Sequence, residues 1–148
     1  MGSRALHLLD VEYLGCGPAL SAEDLERVLD RYRPRVDWHV GDIAIGAAST
    51  WTYKRLAFAL PPGLRLLPAG GGPDAADLRL IDEAHVIDLT RYDRIVIASG
   101  DHAFADLADE IHQLELEVWA AGYSFNTSGR LRAAVDRVVE LDGYGLAA

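Results

Sequence analysis

The chain has 148 residues, half of them hydrophobic and a quarter charged, which fits one domain and excludes the low-hydrophobicity, high-charge pattern of a disordered chain. Its net charge of −9 argues against a general nucleic-acid binder, because non-specific affinity comes mainly from Lys and Arg on phosphates; a local site recruiting substrate through bound cations stays open. The single cysteine, Cys16, excludes an internal disulfide, and no Cys/His spacing of a zinc site occurs.

Met1-Gly2-Ser3-Arg4 leads straight into an apolar run that turns acidic at Asp10. That run is too short for a signal core or a membrane span, so the expectation is a cytoplasmic protein without membrane contact.

Leu6 to Leu9 reads as a buried strand ending at Asp10. Ser21-Ala22-Glu23-Asp24 has the form of a capping box, and Leu25, Val28, Leu29 and Tyr32 then share one helical face, with Pro34 expected to stop the helix. Ile43 to Ile45 is a short strand, Gly46 to Ser49 a small-residue turn, and the following residues a helix reaching Leu60 before Pro61-Pro62. Leu64 to Leu67 gives a third strand, and the Gly70-Gly71-Gly72-Pro73 loop precedes a helix opened by Asp74 or Asp77 that carries Leu78 and Ile81.

Arg94 to Ala98 is the clearest central strand, a continuous β-branched run of the kind covered on both faces. Ser99-Gly100-Asp101 follows it, and Asp101 is a candidate cap for a helix beginning at His102 with Phe104, Leu107, Ala108 and Ile111 on one face. Glu117 to Ala120 is a further strand, and Leu131, Ala134, Val135 and Val138 mark a last helix running into a short strand at Val138 to Leu141. About five β-α repeats spanning 1–148 predict a single α/β domain whose parallel sheet has helices on both faces.

Ligands of such sheets bind beyond the carboxyl ends of the strands. Asp10-Val11-Glu12 ends strand one, Asp74 and Asp77 follow the glycine-rich loop, and Ser99-Gly100-Asp101 ends the central strand. Taken singly, Asp74, Asp77 and Asp101 are better explained as helix caps, and it is their joint place at strand ends that favours a functional reading; Asp10 has no local backbone to cap unless its loop forms an Asx-turn. Carboxylates gathered at one edge repel and call for a cation or shared protons, and an oxygen-only ligand set suits Mg²⁺ or Mn²⁺.

Leu8-Leu9-Asp10-Val11-Glu12-Tyr13 resembles the D-x-E-N opening of the NYN family, a branch of the PIN-like nucleases. Ile97-Ala98-Ser99-Gly100-Asp101-His102-Ala103-Phe104 resembles its S-G-D-x-D-F segment, and Asp74 to Asp82 resembles the helix bearing the family's middle aspartate. The resemblance spans almost the whole chain. It implies a PIN-like fold and a Mg²⁺- or Mn²⁺-dependent ribonuclease with Asp10, Asp77 and Asp101 as metal ligands and catalytic residues, Glu12 and Asp82 supporting them, and Ser99 shaping the turn. Two departures stand out: Tyr13 replaces the usual asparagine, and Ala103 replaces the second acid of S-G-D-x-D-F. The site then works with fewer ligands, borrows Asp106 from the next helical turn, or has lost catalysis.

The histidines show no metal spacing, and only His102 adjoins the acidic segments. Lys54, Arg55, Arg130 and Arg132 are candidate phosphate contacts beside the reading of solvated faces. Trp51, Tyr53 and Phe125 are able to stack on bases, though core or rim packing is the plainer account. The glycine run lacks the G-K-[ST] ending of a P-loop. The first functional expectation is a nuclease acting on RNA, with a homo-oligomer left open. The second is a PIN-like module that has lost catalysis and binds RNA or a protein; a flavodoxin- or Rossmann-like small-molecule binder ranks last because the glycine fingerprint is missing.

Overall fold

Six parallel strands lie in the order β3-β2-β1-β4-β5-β6 in the computed structural model, which describes residues 4–17 and 20–141. They are β1 (Ala5–Asp10), β2 (Ile43–Ala48), β3 (Leu64–Pro68), β4 (Arg94–Ala98), β5 (Glu117–Gly122) and β6 (Arg137–Glu140). Met1-Gly2-Ser3, on which the reading of the N-terminus began, lies outside the described residues. No helix among the described residues is long and apolar enough to cross a membrane.

The chain winds outward from β1 to β2 to β3, then returns to place β4 on the other side of β1, with Leu9 opposite Ala98. The crevice of a doubly wound sheet opens where the winding reverses. Here that point lies between the carboxyl ends of β1 and β4.

Helices cover both faces. On one, α2 (Ala22–Arg35) and α3 (Thr50–Leu56) bury Leu25, Leu29, Tyr32 and Leu56 against Leu9, Val96 and Trp119. On the other, α4 (Ala75–Val86), α5 (Phe104–Gln113) and α6 (Gly129–Ala134) bury Leu80, Phe104, Ile111 and Leu131 against Leu6, Leu8, Ile95 and Ile97. Alternate residues of β1 and β4 serve opposite faces, which is why both strands are almost wholly apolar.

Several boundaries depart from the sequence expectation. Pro34 falls inside the last turn of α2, where the lost N–H costs a single bond, and the helix runs on to Arg35. Gly46 to Ala48 form strand rather than turn: a Cβ on Gly46 would stand 3.0 Å from Val11 Cγ2 and 3.3 Å from Leu66 Cδ1, so the small residue marks close packing. Helix α3 stops at Leu56, not Leu60, and α5 starts at Phe104, not His102. In α4 it is Leu80 that is buried, while Leu78 is 56% exposed. The last helix ends at Ala134, and Val138 belongs to β6.

The amino end of β1 is pinned by a buried polar network. Asp42 accepts the Ala5 N–H at 2.9 Å and meets His7 Nε2 at 3.0 Å, while His7 Nδ1 lies 2.8 Å from the Tyr32 hydroxyl. Burial holds His7 below its ordinary pKa. A neutral ring donating from Nε2 to Asp42 and accepting the Tyr32 proton at Nδ1 satisfies all three groups.

Candidate active site

Asp10 closes β1 and caps the single turn α1 (Val11–Leu14), its Oδ1 accepting the Tyr13 N–H at 3.3 Å. Asp10 therefore has local backbone to cap after all, through an N-cap bond to the third residue on rather than an Asx-turn. Across the switch point, the Ser99 hydroxyl accepts the Asp101 N–H at 3.3 Å, and Asp101 Oδ1 accepts the Ala103 N–H at 2.8 Å. Ser99 thus sets the turn that carries Asp101 off the end of β4.

Between them stands Asp77, in the first turn of α4 and only 5% exposed. Asp10 and Asp101 are the charged neighbours of its carboxyl. Burial, then the charges of Asp10 and Asp101, push its carboxyl from the ordinary 3.8 up to about 8. Burial also raises Asp10, against the opposing pull of the Tyr13 N–H.

The close group of carboxylate oxygens includes Asp74, given no ligand role from the sequence, and does not include Asp10. Carboxylate oxygens of Asp74, Asp77 and Asp101 lie within 4.8 Å of one another. Asp74 occupies the cap position of α4 without a side-chain cap bond, so its carboxylate is not spent on the helix. The signal was its place at the end of a glycine-rich loop; the helix-start reading hid it.

Asp77 Oδ1 is buried with no hydrogen-bond partner. An unpaired buried carboxyl oxygen loses solvation it would have in water, and its carboxyl neighbours relieve the crowding only through shared protons or a bound cation. A divalent cation satisfies this donor set: oxygen-only, mostly anionic, and at the spacing that shared coordination requires.

Asp10, Asp77 and Asp101, though not Asp74, line a cleft of about 540 Å³ walled by Tyr13, Ser99, Gly100 and the segment 125–128. It merges, through Asp10, Tyr13, Pro73, Asp77 and Asn126, with a hollow of about 410 Å³ under the Gly70-Gly71-Gly72 loop.

The remaining candidate residues sort differently. Glu12 is a clamp: its carboxylate accepts the Ser49 N–H at 2.8 Å and the hydroxyls of Ser49 and Thr52 at 3.2 and 3.0 Å, fastening the start of α3 to α1. Asp82, expected to support the site, is exposed five residues further along α4 and lines neither hollow; five helical steps turn a side chain well away from Asp77. Lys54 and Arg55 are exposed in the last turn of α3 and line neither hollow, with Arg55 lying over the Trp51 ring at 4.7 Å. Arg130 sits beyond Ser128 at the rim and pairs with Asp106 at 2.8 Å. Asp106 is therefore engaged outside the cluster, and Ala103 does not line the cleft. Of the aromatic candidates, Tyr53 packs on the core while Phe125 is 71% exposed at the cleft.

The NYN domain model matches residues 52–142. The chain belongs to the NYN domain family, and with it to a PIN-like nuclease fold. The match takes in Asp74, Asp77 and Asp101 but begins after β1, so Asp10 rests on its geometry and on the D-x-E resemblance. No curated protein matches the sequence. Among solved structures, a protein of unknown function from Vibrio parahaemolyticus is similar over 96% of this chain and 94% of its own, with 21% identity and a TM-score of 0.65, a likeness of fold alone. An isochorismatase-like hydrolase from Alkaliphilus metalliredigens covers 95% of this chain and 88% of its own at 15% identity and a TM-score of 0.42, which carries no argument.

Proposed function

We propose that this NYN domain is a metal-dependent nuclease acting on RNA, with Asp10, Asp77 and Asp101, joined by Asp74, as the ligands of a Mg²⁺ or Mn²⁺ ion. The observation that carries the reading is the buried, unpartnered Asp77 Oδ1 amid three further carboxyl groups at the switch point of the sheet. A divalent ion in such a site supplies an activated water and charge stabilisation at a phosphate. The chain's own residues do the positioning. Ser99 and the Ala103 N–H orient Asp101, the Tyr13 N–H orients Asp10, and α4 delivers Asp77 and Asp74 from one turn.

The net charge of −9 fits a substrate drawn in by the bound cation rather than by a basic surface. A second reading, a module that binds RNA or a protein without cleaving, is favoured by Ala103, which removes the family's second acid from the S-G-D segment.

The test is cleavage of an end-labelled single-stranded RNA in Mn²⁺ by wild type, Asp77→Asn and Asp10→Asn. Cleavage by wild type that is lost in both variants supports the enzyme. No cleavage by wild type, with RNA binding that persists in EDTA, transfers the assignment to the binding module.

A further inference from the structure

Three aromatic rings step outward from the acidic cluster. Tyr13 and Tyr123 lie 5.4 Å apart with their planes at 46°, and Phe125 stacks on Tyr123 at 5.4 Å and 21°. The inner ring is fixed: Tyr123 is 1% exposed and its hydroxyl donates to the Leu14 carbonyl at 2.6 Å. The outer one is open, for Phe125 is 71% exposed and lines the cleft beside Asp101, His102 and Asn126.

The segment that carries Phe125 is seated on the sheet rather than hanging from it. The Tyr13 hydroxyl accepts the Tyr123 N–H at 2.8 Å and lies 3.2 Å from Thr127 Oγ1, and the Ser128 N–H donates to the Gly100 carbonyl at 2.8 Å. Gly100 allows that approach, since a Cβ there would stand 1.8 Å from the Asn126 carbonyl oxygen. Gly100 also adjoins Asp101, so the ring and the carboxylate cluster hold a fixed separation.

A preset aromatic face with one side already stacked is a low-cost platform for a second planar group. We infer that Phe125 is a nucleobase platform, and that the strand taken into the cleft is single-stranded with an unpaired base stacked on Phe125 beside the phosphate held at the aspartates. Base-paired duplex does not fit, because its bases are already stacked on one another and present only edges in the grooves. The inference rests on the nuclease reading for the phosphate position, whereas the stacking contact itself is independent of catalysis.

The test uses binding without cleavage: fluorescence anisotropy of a labelled single-stranded RNA, the same sequence as DNA, and the RNA duplex, in Ca²⁺, with wild type, Phe125→Ala and Phe125→Trp. Phe125→Ala should bind both single strands about tenfold more weakly with an unchanged Mn²⁺ titration. Phe125→Trp should retain binding, with its tryptophan emission quenched as strand is added. Wild type should prefer single strands over duplex, and a preference between the RNA and DNA strands reports on the sugar. Equal strand binding by wild type and Phe125→Ala overturns the platform and leaves the nuclease reading standing. Binding of duplex as tightly as single strand also overturns it. Absence of strand binding by wild type overturns both.

Discussion

The Tyr13 hydroxyl accepts the backbone N–H of Tyr123 at 2.8 Å, tying the turn after β1 to the loop after β5 across the mouth of the cleft. Tyr13 is the position where the family commonly has asparagine. The substitution exchanges a short amide for a side chain that spans the sheet edge and braces residues 123–127, with Thr127 Oγ1 also within 3.2 Å.

Replacing Tyr13 by Phe keeps the ring and removes the acceptor, leaving the Tyr123 N–H without its partner. A buried donor so orphaned costs about 1–3 kcal/mol. Urea unfolding should show a loss of that size, with the Mn²⁺ response unchanged because Asp10 takes its bond from the Tyr13 backbone, not from the phenol. A stability equal to wild type would show that the brace is not formed in solution.

Asp77 predicts a pH dependence of metal-free stability. Its carboxyl sits at about 8 in the folded protein against an ordinary 3.8. Below about pH 4 both states hold the proton; between 4 and 8 the unfolded chain releases it and the native protein keeps it. Stability from this group therefore falls as pH rises, by at most about 1.4 kcal/mol per unit, and levels off above 8. In EDTA, wild type should lose stability relative to Asp77→Asn between pH 5 and pH 8. Manganese affinity should run the other way, rising toward pH 8 as the competing proton leaves.

Asp74 and Ala103 make a paired prediction. Asp74 offers a carboxylate oxygen within 4.8 Å of those of Asp77 and Asp101, while Ala103 offers none. Asp74→Asn should weaken Mn²⁺ binding measured by calorimetry by roughly tenfold, since a shared anionic ligand is lost. Ala103→Asp should change it by less. The opposite ranking would return the fourth ligand to the S-G-D segment.

The strands were legible because their signal is simple. Ile95 to Ile97 is an unbroken β-branched run and Ala5 to Leu9 is apolar but for His7, and both stretches are buried. Strand ends located Asp10 and Asp101 for the same reason. What the sequence hid depends on three-dimensional neighbours. Gly46 looks like a turn until Val11 and Leu66 are placed beside it, and Asp82 looks like part of the site until the helical rotation from Asp77 is drawn. Asp74 looks like a cap because nothing local shows that its side chain makes no cap bond. Glu12, adjacent to Asp10 in sequence, turns to Ser49 and Thr52, residues that only the β1–β2 pairing brings near.

The central claim is that the buried Asp77 carboxylate is held for a divalent cation. A crystal soaked in Mn²⁺ near pH 8 and measured at the manganese absorption edge tests it most directly. The account predicts one strong anomalous peak among Asp10, Asp74, Asp77 and Asp101, about 2–2.5 Å from Asp77 Oδ1, and none in a matched Asp77→Asn crystal. No peak in the cleft, or a peak that persists in Asp77→Asn, would contradict it.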